Sequence, residues 1–184
     1  MGMLLEPALF VEQLQLPRGF SVCELGDQWA TYLDPHQLSA QWFQALGCKR
    51  YCAIDGNGRG TLTADLNLPL PKLKPFDLVT DFGTGEHIFN QFQVWRSIHE
   101  LTKPGGYIAF DRPTKGYPTH CYYLVDECLF HDLAAANAYE IVRLEHGVTK
   151  RGELIRGVFR RGPARASFRI PQQGRYQKAL VINK

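Results

Sequence analysis

Residues 76–87 read FDLVTDFGTGEH, and this stretch decides the fold. Phe76, Leu78 and Val79 make an apolar start interrupted only by Asp77, as in a strand buried on both faces. The run Phe76–Gly83 closes on an acid and a glycine, and Glu86-His87 then opens a different pattern. Ile88, Phe92, Trp95 and Ile98–His99 recur at helical spacing, predicting a helix over 86–102 that stops at Lys103-Pro104-Gly105-Gly106. A buried strand passing through a polar turn into a helix is the building unit of an α/β sheet.

Working outward, the same unit recurs. Upstream, SVCELG (21–26), YCAID (51–55) and LTADL (62–66) read as three strands. A short helix is expected over Pro7–Leu14, and Asp34-Pro35 supplies an N-cap acid and a first-turn proline for another. Leu38, Trp42, Phe43 and Leu46 form its apolar stripe, and Gly47 ends it. The proline-rich LPLPKLKP carries no helical pattern. Downstream come the strand GYIAFDR, a helix over 126–138, and the strands YEIVRLEHG and ELIRGVFRR around a turn at 150–152. The expected architecture is a mostly parallel, seven-stranded α/β sheet with helices on both faces. It occupies residues 1–161, with 1–19 a helical N-terminal segment and 162–184 a basic arm ending in the strand-like KALVINK.

Composition is consistent with one globular domain: 184 residues, 45% hydrophobic and 21% charged. No apolar run reaches the ~18 residues of a membrane span. The N-terminus carries Glu6 and Glu12 without a basic start, so a soluble, unanchored, cytoplasmic protein is expected. Five cysteines without a CxxC pair read as reduced thiols. The net charge of +3 is unevenly spread: residues 150–184 carry ten basic residues against the single acid Glu153. Such a tail suits a polyanion, an acidic partner or the chain's own acidic body, and solvated strand faces explain it equally.

In sheets of this kind ligands lie beyond the carboxyl ends of the strands. There the chain places Glu24 and Gly26, Asp55, Asp65 and Gly83 on four successive strands. One acid closing a strand is an ordinary turn residue; four polar or glycine ends in register are harder to explain so. Asp55, 29 residues after Gly26, is suited to accept hydrogen bonds from ribose hydroxyls.

With these residues the sequence resembles the class I S-adenosylmethionine-dependent methyltransferases over about residues 20–160. VCELG is similar to their first motif, YCAID to the second, TADLN to the third, and FDLVTDFGTGEH with LTKPGGYIAF to the fourth and fifth. The chain departs from the family where Gln28 and Ala30 stand in place of two further glycines, and where Trp29–Leu33 separate the loop from any helix. The resemblance implies S-adenosylmethionine as cofactor, with Glu24 and Gly26 at its methionine moiety, Asp55 at the ribose, Asp65 and Leu66 at the adenine, and Gly83 on the pocket floor.

Glu86, His87 and His120 are the expected catalytic or acceptor-facing residues, histidine being the natural base near neutral pH. Each has a plainer reading: Glu86 as a helix-start acid, His87 as a helix-start residue hydrogen-bonded to backbone, and His120 as a filler of a loop-to-core seam. No metal is expected. His120, Cys121, Cys128 and His131 offer ligand types, but their spacing matches no zinc pattern. GNGRG (56–60) lacks the Lys-Ser/Thr of a phosphate loop and reads as a turn. RGVFRRGPARASFR interleaves arginines with Phe159 and Phe168, a pattern for gripping nucleic acid that strand alternation or a protein interface also accounts for. The function expected is methyl transfer to a small molecule or sugar. The alternative is a non-catalytic methyltransferase-like module, held in an assembly or self-associated through residues 150–184.

Overall fold

The computed structural model describes residues 2–33, 35, 37–164 and 166–174. In chain order the elements are β1 (Gly2–Met3), α1 (Leu5–Gln13), β2 (Ser21–Leu25), β3 (Trp29–Ala30), β4 (Gln37–Leu38) and α2 (Ser39–Ala45). β5 (Arg50–Asp55), β6 (Leu62–Thr63), β7 (Phe76–Phe82), a 3₁₀ turn at Gly85–His87 and α3 (Gln91–Leu101) follow. The chain continues through β8 (Thr102–Gly116), α4 (Glu127–Asn137), β9 (Tyr139–Val148) and β10 (Gly152–Arg161).

Seven strands form one sheet in the order β6-β5-β2-β7-β8-β10-β9. All run parallel except β10, which is antiparallel to both β8 and β9. The chain leaves central β2 toward one edge, then returns to lay β7 on its other side. The reversal puts a crevice beyond the carboxyl ends of β2 and β7.

Alternating side chains feed two cores, one on each face. Cys23, Leu25, Val79, Ile108 and Phe110 pack with Trp95 and Ile98 of α3 and Phe130 of α4. Val22, Leu78, Phe82 and Ala109 pack with Phe10 and Val11 of α1 and Trp42 and Phe43 of α2. Helices therefore cover both faces, as the sequence pattern predicts. No helix among the described residues is long and apolar enough to cross a membrane.

Several boundaries move, each for a local reason. The N-terminal helix begins two residues early, at Leu5. The helix expected from Asp34-Pro35 begins instead at Ser39, because Gln37–Leu38 pair with Trp29–Ala30 in a small second sheet with β1. Asp34 lies outside the described residues. The third strand stops at Thr63, and the helix expected from 86 starts at Gln91, where Asn90 Oδ1 accepts the Gln93 N–H at 3.1 Å. KPGG is not a connecting turn: β8 begins at Thr102, paired with Phe76, and Pro104 falls within an irregularity of the β7–β8 register. α4 keeps its expected limits, with Asp126 as N-cap and Ala138 left-handed at φ 53°. KALVINK falls among residues 175–184, outside the described part.

Candidate functional site

The first two strand ends face one another across the β2–β5 ladder. Glu24 is fully buried, and Ser39 Oγ and Tyr51 Oη both donate to its Oε2. Burial pushes its carboxyl up to about 7, against the opposing effect of those donors. Glu24 thus ties β2 to α2 and β5 from inside the sheet rather than facing the crevice. Gly26 has φ +86°, a conformation that favours glycine. Its open face is already filled: Thr84 Oγ1 donates to the Leu25 carbonyl at 2.8 Å, and Gln28 Nε2 donates to Thr84 Oγ1 at 3.0 Å. A Cβ at Gly26 would collide with that hydroxyl and lie 2.8 Å from Gln28 Nε2.

Asp55 is half-buried at the end of β5. Its Oδ2 accepts the Asp27 N–H at 2.9 Å and its Oδ1 the Asn57 N–H at 2.8 Å. This acid therefore shapes the loop after β2 as well as its own turn. Asp65 is exposed; Oδ1 accepts from the backbone and side-chain amides of Asn67, both at 2.9 Å, and those bonds lower its pKa. The Leu66 side chain is buried in the core beneath.

The other expected residues converge. Gly83, Glu86 and His120 line a cleft of ≈ 430 Å³ together with Asp111, Tyr117 and Leu4. Glu86 and His87 lie in the 3₁₀ turn after β7, while His120 comes from the loop after β8. That loop is folded back by the N–H groups of Tyr122 and Tyr123, which donate to the Glu86 carbonyl at 3.1 and 3.3 Å. His120 thereby meets His87 edge to face, with ring centroids 4.9 Å apart.

Beneath these groups lies a buried charge cluster that the sequence reading did not single out. Arg112, fully buried, is in contact with Asp81 Oδ2 and holds Glu86 Oε2 at 3.7 Å. Asp111 faces Arg156 at 3.6 Å. Gly85 makes room for the cluster, since a Cβ there would lie 2.6 Å from Arg112 Cζ and Asp81 Oδ2. The signal was present as the acids and arginine closing VTDFG and AFDR, charges on otherwise buried strands. Burial raises Glu86 to about 7; Arg112 opposes this and Asp81 reinforces it. Burial also raises Asp111 to about 6, opposed by Arg156. His87 is lowered by burial and then by His120 and Arg112, which favours a neutral ring. The cleft thus offers a carboxyl titrating near neutrality, and next to it, outside the cleft lining, an imidazole biased toward its neutral form.

Other residues have local roles. The Cys121 thiol donates to the Tyr123 carbonyl, and His131 pairs with Glu127. Phe159 is fully buried, and Phe168 packs beside Phe92 and His99, so neither ring projects as a stacking platform.

No protein-family model and no curated protein matches this sequence. Solved structures do. A 1,6-didemethyltoxoflavin-N1-methyltransferase from Burkholderia thailandensis, crystallised with S-adenosylhomocysteine, is 18% identical, with a TM-score of 0.64 over 85% of this chain and 76% of that one. The N-methyltransferase NodS from Bradyrhizobium japonicum is 15% identical, with a TM-score of 0.61 over 85% and 94%. The [4+2]-cyclase SpnF is 14% identical, with a TM-score of 0.64 over 86% and 80%. The fold is that of the class I S-adenosylmethionine-dependent methyltransferases.

Proposed function

We propose that this chain binds S-adenosylmethionine and transfers its methyl group to a small-molecule acceptor. The observation that carries the reading is the convergence of Glu86 and His120 on a cleft at the carboxyl ends of β7 and β8, with His87 beside both. Its ≈ 430 Å³ suits a small molecule such as a sugar. The neighbour acting on 1,6-didemethyltoxoflavin agrees with an acceptor of that scale.

The nucleoside half of the cofactor fits the residues present. Asp55 is half-buried at the right strand end and retains lone pairs for ribose hydroxyls, while Asp65 stands exposed at the rim with its Oδ1 already committed to Asn67. At the methionine half, Thr84 and Gln28 cover Gly26, so binding there requires the Thr84 side chain to turn away from Leu25. The cofactor supplies a methyl group on a sulfonium. The protein's part is to position the acceptor in the cleft and to take its proton on the Glu86 carboxylate, which lines it.

Calorimetric titration with S-adenosylhomocysteine tests this. Micromolar binding is expected for the wild type, with a loss of about tenfold or more in Asp55→Ala. Thr84→Ala uncovers Gly26 and is expected to bind more tightly than the wild type. Absence of binding at millimolar ligand in all three proteins overturns the reading. It would favour the second one, a non-catalytic module docked through the basic residues 150–184, which draws support from the covered Gly26 and the internal engagement of Glu24.

A further inference from the structure

We propose that Glu86, His87 and His120 form a binding site for a divalent first-row transition-metal ion, two imidazoles and one carboxylate supplying one face of its coordination sphere. Each side chain offers one donor atom, and the three donors lie within 4.8 Å of one another. Ligands about 2.1 Å from an ion stand roughly 3–3.4 Å apart, so small side-chain rotations close the site. Two imidazoles and a carboxylate are a donor set suited to zinc, iron or cobalt, with the remaining positions left for water or substrate.

Three independent observations point to a ligand. The first is orphaned polarity. Glu86 is 2% exposed, and its Oε2 and the Nε2 of His87 are buried without a hydrogen bond among the described residues. Burying such atoms without a hydrogen bond is costly, and an ion would satisfy both.

The second is charge. Three buried carboxylates (Asp81, Glu86 and Asp111) face two guanidiniums, Arg112 and Arg156. Arg112 lies tight against Asp81 and reaches Glu86 Oε2 only at 3.7 Å, and Arg156 is shared between Asp111 and Glu6, so the carboxylates of the cluster outnumber its guanidiniums. A dication at the mouth supplies the missing positive charge.

The third is backbone geometry. The loop delivering His120 holds Tyr117 at φ 56° and Thr119 at φ 58°, both in the left-handed region and Thr119 β-branched. Such conformations are costly and gather where a side chain must be aimed. The Tyr122 and Tyr123 N–H groups then fasten the loop to the Glu86 carbonyl, carrying His120 across 33 positions of sequence to His87.

This inference stands on the three side chains and does not require methyl transfer. The open positions would face the cleft beside Gly83 and Tyr117, where an ion can hold and polarise an acceptor oxygen.

The experiment uses the untagged full chain, stripped with chelator and titrated with Zn²⁺ and Co²⁺. One ion per chain is expected, with Co²⁺ giving visible d–d absorption. Glu86→Gln and His120→Ala should each weaken Co²⁺ binding by more than about tenfold while circular dichroism confirms the fold. His146→Ala is the control: it disrupts the separate surface cluster in which Glu127 contacts His131 and His146, and should leave binding unchanged. No stoichiometric ion in the wild type, binding that survives His120→Ala, or binding lost in His146→Ala would each overturn the proposal.

Discussion

Glu24 shows how one acid can occupy a motif position and serve packing. Its folded-state carboxyl, near 7, lies above the ordinary 4.5 because burial penalises the charge. Between those values the folded protein keeps a proton that the unfolded chain has lost, so stability falls as pH rises through the window and stays reduced above it. Glu86 and Asp111 act in the same direction, so a difference measurement is needed to isolate Glu24. Glu24→Gln cannot ionise, and its amide still meets Ser39 and Tyr51. Relative to the wild type it should gain on the order of 3 kcal/mol between pH 5 and pH 8. Urea unfolding of both proteins at the two pH values checks this, and parallel profiles would exclude it.

At the scale of elements, β10 is what lets β8 carry the site. Gly157 pairs with Phe110, whose ring stacks on Phe130 with centroids 4.4 Å apart. A Cβ on Gly157 would sit 2.6 Å from Phe110 Cζ and 2.9 Å from the Arg143 carbonyl. Gly157→Ala must therefore displace the ring or the strand, and should cost about 1–3 kcal/mol by chemical denaturation. The cost should fall, without vanishing, in a Phe110→Leu background, where the ring is gone but the contacts with the Arg143 carbonyl and Leu144 Cδ1 are not. A full penalty there would assign the strain to the carbonyl instead. Phe110 directly precedes Asp111 and Arg112, so the small residue on β10 indirectly seats the charge cluster under the cleft.

Across the whole molecule, residues 166–174 belong to the folded body. The Ala166 carbonyl accepts from Arg161 Nη2 at 3.1 Å and from His99 Nε2 at 2.8 Å. Because that carbonyl can only accept, Nε2 carries the proton, and Nδ1 of the neutral ring accepts from the Tyr139 hydroxyl at 2.6 Å. Asn137 adds reciprocal bonds to the Arg169 backbone at 2.8 and 3.0 Å. A chain ending at Gly162 loses these partners and the Phe168 contact with α3. Calorimetry should find its Tm lower by about 5–10 °C. An unchanged Tm would mean that these contacts add nothing to the stability of the body.

The sequence by itself determined the sheet. Strands such as FDLVTDFG and YCAID carry enough apolar length to be read locally, and β7, β8 and the hairpin of β9 and β10 followed from them. It also marked Asp55, Gly83, Glu86, His87 and His120, because polar ends on buried strands stand out in one dimension. Only the tertiary structure decided what those residues face. β1, β3 and β4 are two-residue strands, too short to show a period, and their pairing moved the start of α2. Glu24 turned inward because Ser39 and Tyr51 close on it from elements the motif does not contain. Arg112 escaped notice because a buried guanidinium is recognised by its partners, Asp81 and Glu86, which lie 31 and 26 positions away. His87 meets His120 through backbone bonds to Glu86, and hydropathy carries no trace of such bonds.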